Sequence, residues 1–475
     1  MTVTHRILTV GSGTALALLV TAASTPLLTR LYAPEAHAVW AIFLSLTAVF
    51  SGMATLRYEL AVVLPKEQRT SFQLVQAGII TAFATAVLVG AALWLAGDRV
   101  LPSDLHDALR WWCWLVPLSI FCTALHQLAG AWCTREAAFA QYAAAQTALP
   151  LGILTGQFIL AAAGRRDAWG LIGGTALGQL TVAGGLGWLL WRRQRELRPP
   201  PSLRETAAAA SAYRNYPLYM APYTVIGVVR ERLAYFLLGR LGAVATVGYY
   251  NLVARLANLP NSFVASALRP VFFQHAVGKE TRALEQPVLE IIRTLGLVAV
   301  LLWAPCIVQA PWLLGRIFGP DWMPAAPYAV ALSLPAIPML MGNWADRLFD
   351  VLGRQRAALK LEVIFSTIAM AGLVGGYWLL KDLLAAIFVQ SLLLAIYYLV
   401  WLGVLFRLAG FALGGLVRSL ATVVALGAAS GLLCQWAGSA LSAPVALAVT
   451  LPPACGAAAW VAWRGWRRLG KFLSI

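Results

Sequence analysis

The chain has 475 residues, 60% of them hydrophobic and only 12% charged, about half the charged share of a soluble domain. That composition excludes an array of soluble domains and points to a single all-α polytopic membrane domain. The net charge of +17 does not indicate a nucleic-acid partner, because most basic residues sit in short loops between apolar runs, as the positive-inside bias produces.

Taken in chain order, the apolar runs predict about fourteen transmembrane helices. They fall at about 7–30, 36–64, 72–96, 110–133, 140–163, 169–191, 215–239, 242–266, 288–310, 326–352, 358–380, 383–406, 410–435 and 441–463. The first run, from Ile7 to Leu28, is too long for the apolar core of a cleaved signal peptide, and Arg30 closes it. The stretch from Arg192 to Arg214 is basic and holds Pro199, Pro200 and Pro201, so it reads as a semi-rigid connector after six helices.

Charge fixes the predicted orientation. With the N-terminus in the cytoplasm, one side collects Lys66, Arg69, the Arg192–Arg214 cluster, Lys279, Arg282, Arg354 to Lys360 and Arg464 to Lys471. The other side holds fewer: Arg30, Arg99, Arg110, Arg165, Arg166, Arg240, Arg316 and Lys381. Both termini are therefore expected in the cytoplasm, which requires an even helix count.

A weak internal repeat flanks the connector. Leu27-Leu28-Thr29-Arg30-Leu31 matches Leu237-Leu238-Gly239-Arg240-Leu241, and Thr134-Arg135-Glu136-Ala137-Ala138 corresponds to Gly353-Arg354-Gln355-Arg356-Ala357. An even number of helices per repeat makes the repeats parallel. The expected architecture is two six-helix lobes around a central cavity plus a C-terminal helical hairpin. The lobes run over 1–200 and 205–408, and the hairpin with its basic tail over 409–475.

Ionised residues at bilayer depth are costly and normally face a cavity or a partner. Arg57 and Glu59 lie in helix 2, Arg230, Glu231 and Arg232 in helix 7, Arg255 in helix 8, and Asp346, Arg347 and Asp350 in helix 10. Arg57 lies eight residues before Pro65, roughly 12 Å into the membrane at 1.5 Å per residue. The five arginines Arg57, Arg230, Arg232, Arg255 and Arg347 suit an anion-binding cavity, since guanidinium forks grip phosphate oxygens in pairs. The competing reading is mutual neutralisation of neighbours, such as Arg57 with Glu59. On one regular helix, residues two apart point about 200° apart, so neither Arg57 and Glu59 nor Arg230 and Arg232 should share a face.

Other features are quieter. Trp111, Trp112, Trp114, Trp312 and Trp322 fall at predicted outer helix ends and fit an aromatic belt. His126 reads as a satisfied core residue, and Asn343, Gln127, Gln146 and Gln157 as helix–helix hydrogen-bonding groups. Pro217, Pro222, Pro260, Pro270, Pro335 and Pro338 are expected to kink or end helices. The six cysteines form no CxxC pair and no metal-ligand cluster. No GxSxG, Walker A loop or HExxH occurs, so neither an enzyme nor a self-contained nucleotide-driven pump is indicated.

Several stretches carry a family resemblance: Gly13-Thr14-Ala15-Leu16-Ala17, Pro26 to Glu35, Arg57-Tyr58-Glu59-Leu60-Ala61-Val62-Val63-Leu64-Pro65-Lys66, Tyr216-Pro217-Leu218-Tyr219, Gly248-Tyr249-Tyr250, Val271-Phe272-Phe273-Gln274 and Val351-Leu352-Gly353-Arg354-Gln355. Over about residues 1–400 the chain resembles Wzx-like polysaccharide and O-antigen flippases, the polysaccharide branch of the multidrug/oligosaccharidyl-lipid/polysaccharide exporter superfamily. Over 410–475 only hydrophobicity and topology match.

The resemblance implies an undecaprenyl-diphosphate-linked oligosaccharide as cargo for O-antigen, capsule or exopolysaccharide assembly. It also implies alternating access in the bacterial inner membrane, drive from a proton or sodium gradient, and a polysaccharide polymerase and chain-length machinery as partners. Its motif positions here are Arg30, Arg57, Glu59 and Arg354. Arg30 and Arg354 lie at helix ends, where gating or lobe packing suits them. Glu59, Glu231 and Asp346 are the candidate ion-coupling acids. Alternatives on the same scaffold are a lipid II-type cargo or a multidrug exporter, although a cationic drug would want acidic cavity groups. A membrane glycan enzyme would need a large outer loop, and the predicted outer loops are short.

Overall fold

The computed structural model describes residues 3–100, 106–136, 138–197, 200–241, 244–276, 280–346, 348–349, 352 and 354–473. Among these it is all helical, with no strand. Each of the fourteen predicted segments overlaps one long helix. Ten helical segments are long and apolar enough to cross a membrane, and Leu18–Leu31 is a shorter apolar one.

The chain divides into two compact units, Met1–Asn251 and Leu252–Ile475. The first holds α1 (Val3–Leu31), α2 (Pro34–Ala54), the single turn α3 (Tyr58–Ala61), α4 (Gln68–Val100), α5 (His106–Arg135), α6 (Phe139–Ala162) and α7 (Ala168–Glu196), then α8 (Leu203–Ala212) and α9 (Ala221–Leu241). The division falls inside α10 (Val244–Ala276). The second unit continues with α11 (Glu285–Val308), α12 (Ala310–Phe318), α13 (Ala326–Gly342), α14 (Gln355–Leu380), α15 (Leu383–Ala409), α16 (Leu413–Ala440) and α17 (Ala443–Leu473).

Local chemistry sets the boundaries. Pro34 and Glu35 open α2, where a missing N–H costs nothing and a carboxylate meets the positive end of the helix. Asp167 caps α7 by accepting from the Gly170 N–H at 3.2 Å. Asp382 caps α15 by accepting from the Leu384 N–H at 2.8 Å, and Gly410, at φ 71°, ends it.

The packing repeats between units. In the first, α4 packs on α5, α5 on α7, and α6 on α7; in the second, α11 packs on α13, α13 on α15, and α14 on α15. The last two helices, α16 and α17, both pack on α11 and belong to the second unit.

Within a bilayer, close backbone approach rather than water exclusion drives such packing. The α6–α7 crossing uses it fully, with Gly152 and Gly156 facing Gly178 and Gly174. A Cβ on Gly156 would lie 2.7 Å from the Gly174 carbonyl oxygen, and one on Gly174 would lie 2.6 Å from the Gln157 Cα. Buried polar groups tie the same corner together. The Tyr32 hydroxyl donates to the Gln157 carbonyl at 2.7 Å, and the Trp40 indole N–H donates to Thr175 Oγ1 at 2.9 Å.

Three expectations change. The connector contains a helix, α8, with Ser202 and Glu205 forming a reciprocal capping box. It is strapped to α4 by Arg69–Glu205 at 2.9 Å and by the Thr206 hydroxyl donating to Gln76 at 2.9 Å. Trp112 and Trp322 are core residues, not belt residues; of the belt candidates, Trp114 protrudes, at 77% exposure. The kink expected near Pro217 and Pro222 is a wide turn over Tyr216–Met220. There the Ala221 N–H reaches back to the Tyr216 carbonyl, because Pro222 has no N–H to give the Leu218 carbonyl.

Candidate functional site

α2 stops at Ala54, seven residues earlier than an unbroken helix through Ala61 would. Leu56 and Arg57 are both left-handed, at φ 49° and 63°, a conformation non-glycine residues adopt only where the surroundings enforce it. Enforcement comes from Tyr58 and Val62, buried in a cluster with Phe72, Leu128 and Trp132, and from the Tyr58 hydroxyl donating to the Ala210 carbonyl at 3.3 Å.

The break reverses a geometric expectation. Arg57 and Glu59 are no longer 200° apart, and Arg57 Nη1 lies 3.0 Å from Glu59 Oε1. The Thr55 hydroxyl donates to the other carboxylate oxygen of Glu59. Glu59 is 8% exposed and Arg57 23%. The Arg57 Nε–H has no hydrogen-bond partner among the described residues. One edge of the guanidinium is thus held by its own segment while a buried donor remains for an added acceptor.

α9 packs along α2. Gly52 faces Thr224 and Val228, and Gly239 faces Ile42, so the two helices run antiparallel. Arg230 lies farther along this seam than the break that carries Arg57. The Arg230 side chain is 14% exposed, with Glu231 Oε1 3.7 Å away, while Glu231 is 63% exposed. Arg232 lies on a different face, as two-residue spacing requires. Its guanidinium stands 5.6 Å over the Tyr235 ring, which stacks edge-on against Tyr250. Arg232 therefore belongs to the seam between α9 and the start of α10.

The remaining predicted residues lie on other elements. Arg30 is exposed in the last turn of α1, and Arg354 is exposed just before α14. Arg255 lies in α10 and Asp346 in a short turn after α13, both half-buried in the second unit. Arg347 and Asp350 lie outside the described residues. The structure thus brings together Arg57 with Glu59, and Arg230 with Glu231, on two helices that pack together.

Several polar groups in spans serve helix contacts. His126 Nε2 and Gln146 Oε1 lie 3.1 Å apart, Gln157 donates to the Leu171 carbonyl, and Asn343 donates to Asn261 at 3.3 Å. A further acid went unread. Glu362 in α14 accepts from the Tyr397 hydroxyl at 2.7 Å and from Ser366 at 3.3 Å. Its position inside the 358–380 run was the available signal. Among the described residues, no group of three His, Cys, Asp or Glu is placed to hold a metal. An apolar groove of about 890 Å³ between α4 and α5, lined by Phe83, Val87, Trp94, Trp114 and Phe121, holds no charged residue to fix a headgroup.

The comparisons with known proteins agree in kind. A family model described as polysaccharide biosynthesis protein matches residues 27–327. No curated protein sequence matches the chain at a significant level. Among solved structures, the lipid II flippase MurJ in an inward closed conformation is similar at TM-score 0.68 and 11% identity, covering 98% of this chain and 99% of that one. An inward-facing multidrug-resistance MATE transporter of the MOP superfamily is similar at TM-score 0.55 and 12% identity, covering 89% and 96%. A MOP-superfamily transporter from Pyrococcus furiosus, in which reversed polarity of the binding pocket suggests a different function, is similar at TM-score 0.54 and 14% identity, also covering 89% and 96%. At these identities the likeness establishes the fold.

Proposed function

The chain belongs to the polysaccharide biosynthesis protein family, and on that footing we propose that it flips undecaprenyl-diphosphate-linked oligosaccharide repeat units from the cytoplasmic to the periplasmic leaflet. The observation that carries this reading is Arg57. Its guanidinium sits at a forced break in a membrane helix, half-neutralised by Glu59, with a buried donor still to be filled. A sugar diphosphate is too polar to cross hydrocarbon, whereas a polyprenyl tail is at home there. A protein that moves one across the membrane must supply cations to the diphosphate and leave the tail in lipid.

Arg57 takes the diphosphate first, and Arg230 holds a second position farther along the α2–α9 seam. Arg255 and Arg347 are proposed as cargo-binding cations of the second unit, while Arg232 is left to packing in its seam. Glu59 releases Arg57 when a phosphate replaces it, which makes Glu59 a natural site for proton or sodium coupling, with Glu231 and Asp346 as further candidates. Arg30 and Arg354, at helix ends, act in gating by alternating access. The protein works in the bacterial inner membrane with both termini in the cytoplasm and hands its cargo to a polymerase and chain-length machinery for O-antigen, capsule or exopolysaccharide.

A second reading keeps the scaffold and changes the cargo to a lipid II-type disaccharide, favoured by the MurJ-like fold. A cationic-drug exporter on the MATE-like scaffold fits less well, because arginines dominate the seam. Deletion in the host separates these. Lost surface glycan with complete repeat units accumulating on undecaprenyl diphosphate, restored by wild type and not by Arg57→Ala at equal protein level, supports glycan flipping. Normal surface glycan in the deletion strain refutes it.

A further inference from the structure

The same eight-residue pattern, Trp-x-x-Trp-Arg-x-x-Arg, occurs twice: Trp188 to Arg195 at the end of α7, and Trp460 to Arg467 near the end of α17. Its four named positions are i, i+3, i+4 and i+7, so on a helix they form one stripe. In both copies the stripe is built as stacked pairs. Arg192 lies 5.7 Å over the Trp188 ring and Arg195 3.8 Å over Trp191, while Arg464 lies 5.0 Å over Trp460 and Arg467 4.8 Å over Trp463. All four rings are exposed, between 47% and 58%.

The arginines beside each stripe behave differently. Arg193 is bound by Glu196 at 2.6 Å, and Arg468 by Glu290 at 3.0 Å. Among the described residues, no carboxylate pairs with Arg192, Arg195, Arg464 or Arg467. A guanidinium stacked on an indole keeps its N–H edges in plane and open to a planar or tetrahedral anion. One copy lies in each compact unit, and each stripe rises about 10 Å from first tryptophan to last arginine. That is longer than one headgroup layer, which is about 5–7 Å thick on each side of the hydrocarbon. With the tryptophans leading and the arginines following towards the helix end, each stripe suits indoles at the hydrocarbon boundary and guanidiniums among the headgroups.

We propose that these two stripes are binding sites for anionic phospholipid, each seating a headgroup phosphate between two tryptophan-stacked arginines. The inference rests on the membrane fold and not on the identity of the transported cargo. Each arginine near an anionic surface contributes roughly a factor of five in binding, so losing both from one stripe is expected to weaken that site about 25-fold.

The test is lipid retention by the full-length protein in detergent, read by native mass spectrometry after titration with dioleoylphosphatidylglycerol or dioleoylphosphatidylcholine. Wild type is expected to keep the glycerol lipid in preference to the choline lipid. R192Q/R195Q and R464Q/R467Q are each expected to lose one bound glycerol lipid, and the four-fold variant to fall to the choline level. R193Q/R468Q, which removes the carboxylate-paired neighbours, is expected to retain the preference. Unchanged retention in the four-fold variant would overturn the proposal. So would equal loss in R193Q/R468Q, which would reduce the effect to net charge, or full displacement by equimolar inorganic phosphate, which would make the sites small-anion sites.

Discussion

Replacing Arg57 by glycine separates its two burdens, charge and backbone. A left-handed non-glycine residue costs about 1–2 kcal/mol, and glycine removes that cost while adding about 0.5–1 kcal/mol of chain entropy. Arg57→Gly and Arg57→Ala lose the same ion pair with Glu59, but only alanine keeps the strain at φ 63°. The glycine variant should therefore be the more stable of the two by about 1 kcal/mol. For a unit the size of Met1–Asn251, with an unfolding entropy of about 0.5 kcal/mol/K, that is about 2 °C in melting temperature. Thermal unfolding in one detergent, with both variants side by side, measures it. Glycan export should be lost in both variants. Equal melting temperatures, or a more stable alanine variant, would refute the strained break; normal export by Arg57→Gly at wild-type level would refute the role of the cation.

Other consequences can be read the same way. In Gly174→Ala, the new Cβ would lie 2.6 Å from the Gln157 Cα and closer still to its backbone N, so α6 and α7 separate and stability falls by about 1–3 kcal/mol, seen as a lower melting temperature. Tyr397→Phe should cost about 1–2 kcal/mol by removing the hydroxyl that donates to Glu362 at 2.7 Å, and Glu362→Gln in the same background should restore part of it. The Ser202 N–H and Arg69 hold the Glu205 carboxyl below its ordinary value of 4.5. The α8 strap is therefore at full strength above that value and weakens as pH falls below it. Hydrogen-exchange protection over Leu203–Ala212, taken relative to the intrinsic exchange rate at each pH, should fall on acidification in wild type and lose that pH dependence in Glu205→Gln; protection that does not change with pH would rule the strap out.

The helices were legible because an apolar run of membrane length has one stable conformation in lipid; each predicted run overlaps a helix, and ten helical segments among the described residues are long and apolar enough to span. The break at Leu56 and Arg57 was not legible. No glycine or proline marks it, and the distortion is imposed by Tyr58, Phe72 and Trp132, residues that come together only in the folded unit. The geometric rule for Arg57 and Glu59 failed for that reason, while the same rule held for Arg230 and Arg232 on the regular helix α9. The strap α8 hid behind three prolines, although Ser202 and Glu205 already spelled a capping box. Trp112 and Trp322 show that the position of a tryptophan at a helix end does not distinguish a core ring from a belt ring.

The α2–α9 seam also sets a timetable for biogenesis. Gly52 leaves the ribosome long before Thr224 and Val228, the residues that will cover it. At roughly 5–20 residues per second, α2 waits something like ten to thirty seconds for its partner. Throughout that interval an arginine sits at the end of a helix with no neighbour from α9 to shelter it. Its counter-ion is two residues away, and the break that brings the two together is imposed by Tyr58, Phe72 and Trp132, all of which are made before α9.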